Sequence, residues 1–368
     1  MSAWGSKERV DVMGKRDELG LALSALLALG CGGNAVDLGA SNGSRWSDAA
    51  ASPSDATKPQ TIYEGAQPIM GFALDGATLY ALVDGKDAFE LITCPLTHCR
   101  SERTTLFSRS KADGQVPQPT ALVLAGGMLY WVDSREQRTV VACPTTGCSE
   151  PLLVGTNWDH GLAADDEGAY WLDFERELVR GEPGVEAPTL VRDLSDEAWL
   201  LSNLVTHGDD VYFVASDIDT FSIRRVPKDG SRPAELVATD QVISGFSLAG
   251  DKLYYLSRIL TGRVATCPLE GCSAEVSTLA ANQRWPGAIK VAGNELFWLN
   301  STQWDYDTSQ GKLVSCQLPN CATPQTRSGE FSFAFSVDQD QSFAVNQDAI
   351  VWLERAHGLG TRLRRLAR

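Results

Sequence analysis

Leu129-Tyr130-Trp131, set behind the turn Gly126-Gly127, is one copy of a phrase that the chain writes seven times. The other copies are Leu79-Tyr80, Ala169-Tyr170-Trp171, Val211-Tyr212-Phe213, Leu253-Tyr254-Tyr255, Leu296-Phe297-Trp298 and Ile350-Val351-Trp352. A turn rich in Gly, Asp or Asn precedes each one. Steps between the second residues are 50, 40, 42, 42, 43 and 54. A short apolar strand stands before each turn, as in Gly161-Leu-Ala-Ala164 and Gly245-Phe-Ser-Leu248. After the aromatic strand come a third strand, a tight hairpin and a fourth strand such as Pro151-Leu-Leu-Val154. Four strands per unit at this period fit β-propeller blades, each with one strongly apolar face that must stack on its neighbours. A β-sandwich leaves the period unexplained. The expectation is an all-β chain folded as a seven-bladed β-propeller of four-stranded blades over residues 61–368. The last unit offers only three strands, ending in Leu363-Arg-Arg-Leu-Ala-Arg368, while Thr61-Ile62-Tyr63 resembles a fourth strand. The N-terminal strand is therefore expected to complete blade seven and close the ring.

Four units carry a C-x4-C hairpin: Cys94-Pro-Leu-Thr-His-Cys99, Cys143-Pro-Thr-Thr-Gly-Cys148, Cys267-Pro-Leu-Glu-Gly-Cys272 and Cys316-Gln-Leu-Pro-Asn-Cys321. A four-residue turn brings its flanking residues within disulfide reach. Closing so short a loop stabilises by about 2 kcal/mol per bridge, enough to staple a hairpin rather than knit a fold. The competing reading is a zinc site, but successive pairs lie far apart and no His is spaced to complete a tetrahedron. Eight paired cysteines imply an oxidising compartment. Unit four keeps the turn without the cysteines, since Val226-Pro227-Lys228-Asp229-Gly230-Ser231 aligns with Cys267 to Cys272. Pro presets φ and Gly takes the left-handed position there, so the hairpin is the underlying element and the disulfide its addition.

Tyr130-Trp131-Val132-Asp133-Ser134 resembles the YWTD repeat of lipoprotein-receptor propellers, and Tyr170-Trp171-Leu172-Asp173 is a second copy. The others degrade, as in Tyr80-Ala-Leu-Val-Asp84 and Phe297-Trp-Leu-Asn300. The resemblance covers residues 61–368 as architecture. It implies hydrogen bonding between blades by Asp133 and Asp173, and no catalysis, since fold does not carry function.

Ahead of the repeats, Lys15 and Arg16 precede the apolar stretch Leu19 to Leu29, which ends at Gly30-Cys31. The stretch is too short to span a membrane as a stable helix and fits a signal-peptide core. Leu27-Ala28-Leu29-Gly30-Cys31 resembles a bacterial lipobox, which implies cleavage after residue 30 and a lipid on Cys31. Ala28 and Leu29 depart from the usual residues, and Met13 is an alternative start. Ordinary cleavage leaving Cys31 a free thiol is the rival reading. In enteric bacteria Gly32 after the cysteine implies sorting to the outer membrane. Residues 31–60 are rich in Gly, Ala, Ser, Asp and Pro and read as a flexible tether reaching on the order of 30 Å. The formal charge of −15 argues against nucleic acid and against docking on anionic lipid. A monomer held to the membrane by its lipid alone is expected.

No nucleophile motif, metal-spaced cluster or cofactor signature appears. Gly245-Phe-Ser247-Leu-Ala249 only approaches G-x-S-x-G and sits in a first strand. His98, His160, His207 and His357 are scattered. Asp217-Ile-Asp219 lacks the ligand count of a calcium loop. One group of aromatics stands out: Trp158-Asp159-His160, Trp199 and Arg284-Trp285 between fourth and first strands, and Trp304-Asp305-Tyr306 between second and third. Both loop classes open on one propeller face. Exposed aromatics beside Asp, His and Arg suit a glycan, a peptide or an envelope protein. The structural alternative is that these Trp wedge between blades. A non-catalytic binding module is favoured over a lyase or hydrolase working at the channel mouth.

Overall fold

The structure is a computed structural model. It describes residues 45–46 and 58–368, apart from 100, 112–119, 134–137, 186, 198–199, 218–219, 259–260, 273–275, 304–308, 334–341 and 357–359. Residues 1–30, read from the sequence as a signal segment, together with Cys31, Trp199, Trp304, Asp305, Tyr306 and His357, lie outside the described residues.

Seven antiparallel sheets surround one channel, as the repeat predicts. Blade 1 is Ile69–Asp75, Thr78–Asp84, Ala88–Pro95 and Thr104–Ser110, ordered from the channel outward. Blades 2 to 5 follow the same order through Ser277–Gln283. In blade 6 the fourth position is split between Gln325–Thr326 and Phe331–Phe333, both paired to Ser309–Gln317. The core lies between blades rather than within them. Each second strand is buried on both faces, and Trp131, Trp171, Trp298 and Trp352 are among the largest fully buried side chains. The phrase that sets the period therefore fills the interfaces. Burying each such ring stabilises by roughly 2–3 kcal/mol.

Blade 7 closes as the sequence predicts. Phe343–Val345, Ala349–Ala356 and Gly360–Ala367 take their fourth strand from Gln60–Gly65. Ile62 and Tyr63 on that strand are both fully buried against blade 1. Arginines stitch the seam: Arg364 donates to Pro59 O at 3.0 Å and to Thr61 Oγ1 at 2.5 Å, and Arg365 donates to Gln60 Oε1 at 3.3 Å. Arg362 binds the Glu64 carboxylate. One departure lies within the stretch read as tether, where Arg45–Trp46 adds a fifth strand that pairs with Tyr63 and Glu64.

Strand direction fixes the two faces. Each first strand runs toward the turn that joins it to the second, and the third-to-fourth hairpin returns on that same side. First-to-second turns and disulfide hairpins thus share one face, the hairpin face. Second-to-third loops and the links from one blade to the next share the other, the loop face. The first strand bulges against the second near the loop face in blades 1 to 6. In blades 2, 3 and 4 the bulge sits on a left-handed residue, Ala121, Gly161 or Asn203.

The four local disulfides are present, with Cα–Cα distances of 4.8 to 5.7 Å. Their location corrects the view that they only staple hairpins. Cys143 and Cys148 pack among blade 1 side chains including Phe107, and Cys267 and Cys272 pack against Val237 and Ala238 of blade 4. The Cys148 N–H donates to Leu106 O at 3.2 Å and the Cys272 N–H to Val237 O at 2.9 Å. Each acceptor lies on the fourth strand of the preceding blade, so the stapled turn is part of the interblade seam.

Asp133 meets the expectation carried by the repeat: its carboxylate takes a 2.7 Å bond from Arg109 on the fourth strand of blade 1. Burial raises its pKa despite that partner. Asp173 does not meet it. Its Oδ1 accepts from the backbone N–H groups of Glu175 and Glu177 and so caps its own turn. Blade 5 supplies an interblade pair of its own, as Arg263 reaches Asp240 of blade 4 at 2.9 Å.

Candidate functional site

On the loop face two cation–aromatic groups are assembled. In the first, Arg138 from the second-to-third loop of blade 2 lies 5.2 Å from the Phe174 ring of blade 3 and 6.0 Å from the Trp158 ring. It also reaches Asp159 at 3.4 Å, and Asp159 in turn contacts His160 Nδ1 at 2.8 Å. The second group lies at the junction of blades 5 and 6. There the Arg258 guanidinium stands 5.4 Å from the Trp285 ring. Burial pushes the Arg258 pKa down to about 10.

The expected site residues divide. Trp158, Asp159 and His160 do not lie in a free loop but open the first strand of blade 3, Trp158–Asp165. Trp158 is only 8% exposed, and its indole N–H donates to Gly161 O at 2.6 Å across the bulge. It is a wedge that props up the loop face. Asp159 and His160 are half-buried beside it. Arg284 and Trp285 occupy a two-residue link between Ser277–Gln283 and Pro286–Ala292, and both are exposed. Trp285 is 44% exposed and holds φ at 47°. A bulky residue in the left-handed region costs on the order of 1–3 kcal/mol and persists only where its surroundings impose it. The Trp285 carbonyl accepts from the Ser301 N–H at 3.3 Å, which fixes the link against the second strand of blade 6, Glu295–Gln303.

Sequence reading missed Arg138, Phe174 and Arg258. Phe174, 54% exposed, follows the Trp-Leu-Asp of the repeat and is visible as an apolar residue in a turn position. Arg138 and Arg258 carry no such signal, because their place is set by packing between blades. Asp173, Glu175 and Glu177 bring carboxylate oxygens within 4.8 Å of one another, the only such trio of His, Cys, Asp or Glu among the described residues. Asp173 there is already committed to two backbone N–H groups.

The opposite face has another electrostatic character. Its first-to-second turns carry Asp75, Asp165, Asp166, Glu167, Asp209, Asp210, Asp251 and Asp348. Lys228 pairs with Asp165 at 2.6 Å. Burial first, and then these carboxylates, raise the pKa of Tyr80, Tyr130, Tyr170, Tyr212 and Tyr254. These carboxylates mark the turns of blades 1, 3, 4, 5 and 7, while the blade 2 turn is Gly126-Gly127.

No protein-family model and no curated protein sequence matches the chain. Solved structures match it by shape. A prolyl endopeptidase studied for inter-domain dynamics superposes with a TM-score of 0.56 at 10% identity, covering 81% of this chain and 48% of that one. The computationally designed protein Ika8 superposes with a TM-score of 0.50 at 11% identity, covering 83% and 98%. A chain of a nidogen/laminin complex gives 0.46 at 15% identity, covering 70% and 93%. These likenesses, at such identity, concern the fold. The class is a disulfide-bearing seven-bladed β-propeller. Its four close cysteine pairs are those of a protein from an oxidising compartment.

Proposed function

We propose that this chain is a non-catalytic binding module of the cell envelope, lipid-anchored at Cys31 to the outer membrane of a Gram-negative bacterium. Residues 32–44, ahead of the Arg45–Trp46 strand, act as the spacer, and the loop face engages an envelope protein, a peptide or a glycan. The observation that carries the reading is Trp285: an exposed aromatic ring, held in a strained backbone conformation and stacked with Arg258. A rigid ring presenting an aromatic–cation pair supplies contact area at low entropic cost. Phe174 with Arg138, and beside them Asp159 and His160, form a second contact on the same face. Arg284 adds a further exposed cation. Trp199, Trp304, Asp305 and Tyr306, read from the sequence as loop residues of that face, lie outside the described residues.

The test is a binding screen of the full chain against envelope proteins and envelope glycans, repeated with Trp285→Ala. The expected result is a partner whose affinity falls at least about tenfold in the variant while the melting temperature changes little. A sharp loss of melting temperature, or a partner bound equally by both proteins, overturns the reading. The anchor has its own test. Cys31→Ser is expected to move the protein from the detergent-extracted membrane fraction to the soluble fraction, and retention in the membrane refutes lipidation.

A further inference from the structure

The channel holds a cavity of about 340 Å³, at the lower end of the volume range of small-molecule sites. Its wall is built from first strands. Ala73, Val123, Ala163, Val205 and Ala344, one from each of five blades, stand opposite the second residue of the repeat phrase and form a layer of small apolar side chains. Phe72 and Phe343 continue the apolar wall toward the loop face. Lys290 is the one charged group among the described lining residues, and it already has a partner within the protein. The cavity thus suits an apolar body.

Its other end lies under the acidic turns. Leu74, Ala164 and Thr206 line the cavity one residue short of Asp75, Asp165 and His207, where their strands end. Neighbouring turns touch at this mouth. Asn346 Nδ2 of blade 7 donates to Gly76 O of blade 1 at 2.5 Å, and His207 Nε2 of blade 4 meets Gly250 O of blade 5 at 2.9 Å. The blade 2 turn has no acid of its own, but a Cβ on Gly126 would stand 3.2 Å from Asp166 Oδ1, so a blade 3 carboxylate lies beside it. Asp165 is paired with Lys228, whereas Asp75, Asp166, Asp209 and Asp251 are exposed. Their field reaches the seams: behind burial, Asp75, Asp165 and Asp251 help to raise the pKa of Tyr80, Tyr130 and Tyr254.

We infer that the channel is a binding site for an amphiphilic monocation, an alkylammonium in class, with its chain in the apolar cavity and its head among the turn carboxylates of the hairpin face. Dehydrating a charge inside the apolar wall is costly, so the head stays at the wet mouth, where the exposed carboxylates attract it. An anion with the same chain is repelled there, and a neutral molecule gains only the burial of its chain. The site stands apart from the Trp285 contact on the loop face, and either holds without the other.

Isothermal titration calorimetry of the full chain with octylammonium tests this, with octanol and octanoate as the neutral and anionic counterparts and ethylammonium as the head without the chain. Octylammonium is expected to saturate one site per chain, with octanol at least about tenfold weaker and octanoate weaker still. In about 1 M salt, octylammonium is expected to fall to the level of octanol, because screening acts on the exposed carboxylates. Asp75→Asn with Asp251→Asn is expected to weaken octylammonium several-fold and leave octanol unchanged, whereas Ala163→Leu, which fills the cavity, weakens both. Melting curves identify any variant that has lost its fold, and the comparison among the four probes on the unaltered protein needs no variant. Absence of saturable octylammonium binding overturns the proposal. So does octanol or octanoate bound as tightly as octylammonium. Ethylammonium bound as tightly as octylammonium overturns it too, since the carboxylates alone would then hold the cation.

Discussion

The hairpin of blade 2 and the hairpin of blade 4 do the same work with different chemistry. Both start from Pro, and both close with a backbone bond to its carbonyl, Gly147 N–H to Pro144 O and Gly230 N–H to Pro227 O, each at 2.9 Å. Both lie against the fourth strand of the preceding blade. In blade 2 the Cys143–Cys148 bridge holds the turn and fills the seam. In blade 4 the seam is filled by Val226, Asp229 caps the Ser231 N–H at 2.9 Å, and Lys228 crosses to Asp165 of blade 3. A Cβ on Gly230 would stand 2.1 Å from Val191 O. Without a covalent bridge, the turn comes closer to its neighbour than any side chain permits. Blade 7 goes further, since it has no hairpin at this place at all. There Gln60–Gly65 is laid beside Gly360–Ala367, and arginines and two buried side chains take over. The disulfide is thus one of three ways to hold the same joint.

That equivalence is open to attack, and the largest effect belongs to blade 7. Deleting residues 61–66 removes Ile62 and Tyr63 from a fully buried seam, together with the ladder to Gly360–Ala367. Truncating one buried aromatic alone costs about 3–5 kcal/mol, so the deletion is expected to abolish cooperative melting by circular dichroism. Deleting residues 32–42 is expected to leave the melt unchanged, and identical curves for both deletions would refute closure by this strand. Next comes Gly230→Ala. With φ at 65° and no room for a Cβ, it is expected to cost on the order of 3 kcal/mol in denaturant titration. A cost below about 0.5 kcal/mol would mean that the joint of blade 4 is loose. The smallest effect is expected for Cys143→Ala with Cys148→Ala, about 2 kcal/mol by loop closure. The same change to Ser is expected to cost more, because Cys143 is fully buried and a hydroxyl there lacks the sulfur's apolar character. If Ser and Ala variants melt alike, the bridge lies outside the seam.

The architecture was legible because it is periodic. Seven aromatic phrases at 40–54 residue steps, four hairpins and a three-stranded last unit specify blade count, strand order and closure. Strand direction then gives the two faces without further information. What escaped was anything decided between blades. Trp158 reads as a loop aromatic, yet a bulge at Gly161 draws it into the first strand and covers it. Asp173 reads as a twin of Asp133, but Asp133 meets Arg109 across a seam and Asp173 turns back on its own loop. Each case depends on a partner in another repeat, and a repeat read singly does not contain its neighbour.

The seam of blade 7 also determines how the molecule answers force. Every other joint in the ring is continuous chain, whereas this one is a strand laid beside another. A pull on the leading chain is met first by the two-residue pairing of Arg45–Trp46 with Tyr63 and Glu64, and then at Pro59, Gln60 and Thr61, where Arg364 and Arg365 are fastened. A pull along the strand loads its antiparallel bonds to Gly360–Ala367 together, and a sideways pull breaks them one after another. The propeller is in this sense a ring with a clasp: tension on its leading segment opens the clasp before it reaches any of the other six blades.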